Sequence, residues 1–146
     1  MASLIDRTLR GTLTAGYKLV KAVRGTRRGS RHGAHALPLT PDRRVILVKL
    51  RYAPGWRLPG GGRGSDEDLR EAVLRELREE LGMISHGAVR PVRADANALM
   101  IVEDVRYRRP AFSWEVQDVL EASMDRLPAN LWPITRRWLT AAAGQI

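Results

Sequence analysis

The chain contains no cysteine, which excludes disulfides, Cys-ligated zinc, iron–sulfur clusters and thiol catalysis. Histidine is scarce as well. Of His32, His35 and His86, the first two sit in a Gly/Arg-rich stretch, so a three-His zinc site is disfavoured. No run approaches the roughly 18 consecutive apolar residues that a membrane span needs. No continuous apolar segment follows the start, which argues against a secretory signal and makes the cytoplasm the expected location. What is present is 146 residues, 44% apolar and 28% charged, enough for one domain whose core stands without staples.

The formal charge is +9, which points to an anionic partner: nucleic acid, a phosphorylated small molecule or a membrane surface. Its distribution sharpens that expectation. Residues 1–36 hold eight cations (Arg7, Arg10, Lys18, Lys21, Arg24, Arg27, Arg28, Arg31) against Asp6, whereas residues 37–146 hold 17 basic and 15 acidic residues. The expected organisation is therefore a basic N-terminal arm and hinge over 1–36, followed by a nearly neutral domain over 37–146. In the arm, Ile5, Leu9, Leu13 and Tyr17 recur every four residues and predict a helix. Such a helix can pack on the domain or on a second subunit, or serve as a membrane-surface or nucleic-acid arm. Its Arg-rich, acid-poor composition also suits a transit peptide. Gly25–Ala36 (GTRRGSRHGAHA) reads as a basic loop or hinge.

In the domain, Val45–Leu50 (VILVKL) is a β-branched run of strand length behind a Pro41-Asp42 turn. A second turn lies in Tyr52–Trp56 (YAPGW), which leads into Pro59 and three successive glycines. Glu67–Leu81 predicts a helix closed by Gly82. Ala88–Arg93, Ala98–Val105 and Ala111–Val119 are strand candidates. A last helix is expected from Pro133, with Ile134, Trp138 and Leu139 turned inward. Strands grouped around one central helix, with another helix at the end, make an α+β architecture.

Seven of the 16 acids lie between Asp66 and Glu80. At about 100° per residue, Glu76, Glu79 and Glu80 share one arc of the helix, beside a buried stripe of Leu74, Leu77 and Leu81. Arg75, four residues before Glu79, can pair with it. Three carboxylates on a partly buried surface repel one another, and a hard divalent cation relieves that repulsion. A solvated, charged helix face is the ordinary alternative. Pro59–Gly62 tips the balance, because glycine backbone can approach a ligand closely and offer carbonyl oxygens.

The stretch Gly61–Met83, GGRGSDEDLREAVLRELREELGM, resembles the Nudix box, the signature of Nudix hydrolases. All nine specified positions are filled: Gly61, Glu67, Arg75, Glu76, Leu77, Glu79, Glu80, Gly82 and Met83. The lead-in Trp56–Gly60 and the closing Glu115–Pro128 and Pro133–Leu139 are similar to other members, so the resemblance spans roughly residues 36–143. One departure is Asp66 where a glycine is common, with Gly64 standing two residues earlier.

The resemblance implies the Nudix fold, an α+β α/β/α sandwich with a mixed β-sheet between helices. It also implies hydrolysis of a pyrophosphate bond in a nucleoside diphosphate-linked substrate, by water attack at phosphorus. Carried over by position, the Gly60 carbonyl, Glu76, Glu79 and Glu80 would surround Mg²⁺ or Mn²⁺. Arg75 would orient the glutamates, and Gly61, Glu67 and Gly82 would shape the box. Glu76 is the first choice for general base, with Glu115, Asp118, Glu103 and Asp104 as candidates outside the box. Tyr52 and Trp56 could stack a base, and Arg51, Arg57 and Arg63 could contact phosphates, though surface roles suit them equally. Ala98–Ile101 carries neither the proline nor the tyrosine that mark two subfamilies, so the substrate stays open beyond a small-molecule nucleotide or nucleoside diphosphate derivative. A homodimer is compatible with the family. A nucleic-acid-binding or regulatory protein on a Nudix scaffold is the alternative reading, which the intact glutamates disfavour.

Overall fold

The structure is a computed structural model that describes residues 33–92 and 98–146. The predicted N-terminal helix, most of the hinge and His32 lie outside the described residues, as does the Arg93 end of one strand candidate. The chain runs β1 (Gly33–Pro38), β2 (Val45–Leu50), β3 (Trp56–Arg57), β4 (Gly60–Gly62), α1 (Leu69–Leu81), β5 (Met83–Ser85) and β6 (Val89–Pro91). It continues through β7 (Ala98–Val102), β8 (Arg106–Tyr107), β9 (Val116–Ala122) and α2 (Pro133–Ala142), ending in a 3₁₀ turn over Ala143–Gln145.

A mixed sheet in the order β4-β1-β7-β6 carries one parallel pair, β1 with β7. An antiparallel sheet in the order β3-β2-β9 lies beside it, bridged through Leu39 and Val45, and β5 pairs with β8. Period-two alternation sends β1 and β2 side chains to opposite faces. Ala34, Ala36, Ile46, Val48 and Leu50 join Ala72, Val73, Leu77 and Leu81 of α1 in one core. Leu37, Leu39, Val45 and Leu47 join Trp138, Leu139 and Ala142 of α2 in the other. The strands thus lie between a helix on each face.

Five local readings change, one being that the expected strand Ala98–Val105 ends at Val102. The expected hinge over Gly25–Ala36 ends earlier, because Gly33–Ala36 are already strand; β4 and β7 supply the backbone partners that local composition does not reveal. The helix begins at Leu69 with Asp68 as N-cap, leaving Glu67 in the preceding loop. The last strand runs Val116–Ala122, displaced from Ala111–Val119 by its register on β2, where Leu50 faces Val116 and Val45 faces Ala122. Ile134 is half-buried, while Trp138 and Leu139 are buried as expected. The end of α1 follows its sequence: Gly82 adopts φ 70°, and its N–H reaches the carbonyls of Arg78 and Leu77. A Cβ there would run into the Arg108 carbonyl oxygen.

Candidate active site

Packing against β4 pins the acidic face of α1. Glu76 and Glu80 are only 1% and 3% exposed, an expensive position for carboxylates without partners. Glu80 Oε2 accepts the Gly60 N–H at 3.1 Å. Glu76 lies over Gly61, where a Cβ would sit 2.5 Å from its Oε1 and 2.9 Å from its Cδ. Glycine at this box position lets the strand come within touching distance of a buried carboxylate; any side chain there would have to displace Glu76. Glu79, one turn from Glu76, keeps a third of its side chain in solvent.

Arg75 organises the set, using all its donor nitrogens. Nε donates to Glu67 Oε1 at 2.8 Å and Nη2 to Glu67 Oε2 at 3.2 Å, a forked pair. Nη1 reaches Glu76 Oε1 at 3.0 Å and, more weakly, Glu79 Oε2 at 3.5 Å. Nη2 also donates to the Gly62 carbonyl at 3.0 Å, tying the helix to the glycine strand. The hydrogen bond to Glu67, with the charge of Glu76, holds the guanidinium even more firmly protonated than usual. Glu67 in turn accepts the Gly64 N–H at 3.1 Å, while its own N–H returns to the Gly64 carbonyl at 3.2 Å. Gly64 is buried in that turn, where its backbone and Glu67 close the loop on each other.

The candidates outside the box disperse. Buried Glu115 accepts the Tyr52 hydroxyl at 2.6 Å, joining two residues that the sequence offered separately. Asp118 is exposed and paired with Arg109 at 3.1 Å. Glu103 pairs with Arg43 and Arg90, both at 3.3 Å. Asp104 is exposed at φ 51° with its carboxylate against Gly87. Arg51 donates to the Ser113 carbonyl at 2.9 Å and lies over the Phe112 ring. Trp56 is half-buried in β3 against the α2-side core. Arg57 donates to the Pro54 carbonyl at 3.0 Å and covers the Trp132 ring at 4.7 Å. Arg63 is half-exposed on the loop after β4.

Sequence reasoning missed His35. It lies in β1 opposite Gly60, with its ring against both Gly33 and Gly60 and tilted over Trp138 at 4.6 Å. The signal was its place between Ala34 and Ala36 in an alternating segment. Burial, reinforced by Arg57, lowers its pKa from 6.5 to about 4. Between those values the unfolded chain binds a proton that the folded chain refuses. This contribution to stability is therefore intact above pH 6.5 and lost as the pH falls to about 4, amounting to roughly 3 kcal/mol. Melting curves should show a steeper loss of stability over that window for the parent chain than for His35→Gln. Equal slopes would remove His35 as the cause.

As a cation site, the arrangement has a consistent donor set: three carboxylates and backbone carbonyl oxygens, with no sulfur or imidazole required. That is the chemistry of a hard divalent ion whose shell is completed by waters and phosphate oxygens. Among the described residues, no three acidic or His side chains already converge on a single point, so the protein alone does not form a closed cage. The donors fit an open site.

The NUDIX domain model matches residues 29–132, and the chain belongs to the Nudix hydrolase family. Its fold is the Nudix fold: a MutT NUDIX hydrolase from Burkholderia pseudomallei superimposes with a TM-score of 0.57 at 26% identity, covering 76% of this chain and 96% of that one. The chain is 31% identical over 108 residues, 73% of its length, to Nudix hydrolase 27, chloroplastic, of Arabidopsis thaliana. It is 38% identical over 61 residues, 36% of its length, to an RNA pyrophosphohydrolase of Gluconacetobacter diazotrophicus. Each match spans 36% of the curated relative's own length. No helix among the described residues is long and apolar enough to cross a membrane.

Proposed function

We propose that the protein is a divalent-metal-dependent pyrophosphohydrolase that cleaves a phosphoanhydride bond in a nucleotide-type substrate. The observation that carries this reading is the unit built by Arg75, in which one guanidinium holds Glu67, Glu76 and the Gly62 carbonyl beside the Glu80–Gly60 hydrogen bond. A surface charge pattern does not need two carboxylates buried against glycine backbone. The RNA pyrophosphohydrolase relative is named for the same reaction class.

Glu76, Glu79, Glu80 and the Gly60 carbonyl would hold Mg²⁺ or Mn²⁺. When bound, such an ion neutralises phosphate charge and acidifies water. The chain's own residues do the rest. Arg75 orients Glu67, Glu76 and Glu79. The glycines of β4 let that strand lie close against the acidic face of α1. A carboxylate of the set takes the proton of the water that attacks phosphorus. Glu79 has the solvent access for that step, whereas Glu76 has the more rigid setting and must loosen its contact with Arg75 to take part. Glu115, held by Tyr52, is the one candidate outside the box that is both buried and positioned.

With Mg²⁺ or Mn²⁺, a panel of nucleoside triphosphates, nucleotide sugars and 5′-triphosphorylated RNA should include at least one compound that the full chain hydrolyses, read by phosphate release. Turnover that is absent for the whole panel, or that persists in excess chelator, would contradict the proposal.

A further inference from the structure

The turn after β2 and the segment from β8 to β9 meet at one end of the antiparallel sheet, where Leu50 faces Val116. Residues 106–114 (RYRRPAFSW) hold three arginines, three aromatic residues and no acid. Arg109 is occupied by Asp118 and the Gln117 carbonyl, and the Tyr107 hydroxyl by Glu121. Arg106 and Arg108, on either side of half-buried Tyr107, are exposed, and their side chains have no partner among the described residues. The Arg51 backbone N–H donates to the Glu115 carbonyl at 2.9 Å and its Nε to the Ser113 carbonyl at 2.9 Å, which ties the two loops together. That tie holds the Arg51 guanidinium over the Phe112 ring at 5.4 Å, and Phe112 meets Trp114 edge to face at 4.5 Å. Tyr52, next along, is fixed by its hydrogen bond to Glu115 at 2.6 Å. Four large hydrophobic side chains among the described residues are exposed, and two of them, Tyr52 at 53% and Phe112 at 45%, stand on this pair of loops. The fold has oriented these rings without burying them, and solvent reaches them directly. Arginines beside exposed, ordered rings, with the nearby acids already engaged, make a surface suited to unpaired bases and phosphates.

We propose that Arg51, Phe112 and Trp114 form a stacking platform for the unpaired bases of a single-stranded nucleic acid, with Arg106 and Arg108 meeting its phosphates. A base can stack on the guanidinium plane or on the exposed ring, because both present flat, polarisable surface. The Ser113 contact uses only Nε of Arg51, so its Nη groups can donate to a phosphate or a base oxygen. Arg108 and Phe112 are four residues apart, at most about 14 Å along the chain, so base and phosphate contacts fall on one short stretch of strand. A duplex suits this surface poorly, since its bases are already stacked on one another. The platform is independent of the hydrolase proposal, for it needs neither a metal ion nor an anhydride.

Fluorescence anisotropy of the full chain with a short, labelled RNA bearing a 5′-hydroxyl, in the presence of chelator, tests the platform apart from any hydrolysis. Phe112→Leu, which keeps an apolar side chain and loses the ring, should weaken binding at least about fivefold. Arg106→Gln combined with Arg108→Gln should weaken binding and lower the steepness of its salt dependence by about 1.4, the share of two phosphate contacts to a single strand. Arg126→Gln, at an exposed arginine outside the platform, should stay within about twofold of the parent. The duplex of the same RNA carries denser charge, so tighter binding of the single strand is the signature of stacking. Polyglutamate of equal charge should compete at least about tenfold less well than unlabelled RNA. Equal competition would point to an acidic peptide and overturn the proposal. So would absent binding, preference for the duplex, an unchanged salt slope in the arginine variant, or parent-like affinity in a Phe112→Leu chain that melts normally. That last result would assign the binding to other cations, such as those of residues 1–36. Should Phe112→Leu not fold, the arginine variant and the duplex comparison decide.

Discussion

Glu79→Gln and Glu80→Gln are each expected to lower turnover on the best substrate of the panel by about 10²–10⁴-fold, the range associated with losing a proton acceptor or a metal-ligating charge. The substitutions are nearly isosteric, so the fold should persist. A glutamine at position 80 can still accept the Gly60 N–H through its amide oxygen, and Glu79 is held only by a 3.5 Å contact to Arg75. Removing one of several mutually repelling carboxylates costs little without metal. Added Mg²⁺ should raise the melting temperature of the parent chain more than that of either variant, because a ligand stabilises the state that binds it. Wild-type turnover in both variants would remove these glutamates from the active site.

Arg75→Ala should destabilise the fold as well as lower activity. It strips the guanidinium from Glu67, whose side chain is 14% exposed, and from Glu76, at 1%, while also releasing the Gly62 carbonyl. Removing one partner of a fully buried ion pair costs about 3–5 kcal/mol, and the 31% exposure of Arg75 lowers that figure here. Denaturant titration would read that loss, and turnover should fall with it as the glutamates lose their common anchor. Arg75→Lys should recover only part of both, since an ammonium cannot fork to Glu67 while also reaching Glu76 and Gly62. A loss below about 1 kcal/mol for Arg75→Ala would mean that solvent already screens the network.

The site was legible in sequence to the extent that its parts are neighbours along the chain. Helical periodicity alone put Glu76, Glu79 and Glu80 on one face, and the αL position of Gly82 follows from glycine's conformational freedom. The positions that needed partners from far away were not legible. His35 read as part of a basic loop because its strand exists only through β4 and β7. Glu115 and Tyr52 were two unrelated candidates until their loops met at 2.6 Å. Asp118, similar to Glu115 by sequence, sits on the exposed side of β9 with Arg109, since alternate residues of a strand face opposite ways.

The amino-acid sequence by itself determined the acidic helix, its terminating glycine and the all-oxygen candidate donor set, because those depend on spacing within a few turns and on residue chemistry. The tertiary structure alone decided which carboxylates are buried and how closely Gly61 approaches Glu76. Each of these depends on distances between segments brought together only by pairing and packing, and local periodicity carries no information about them.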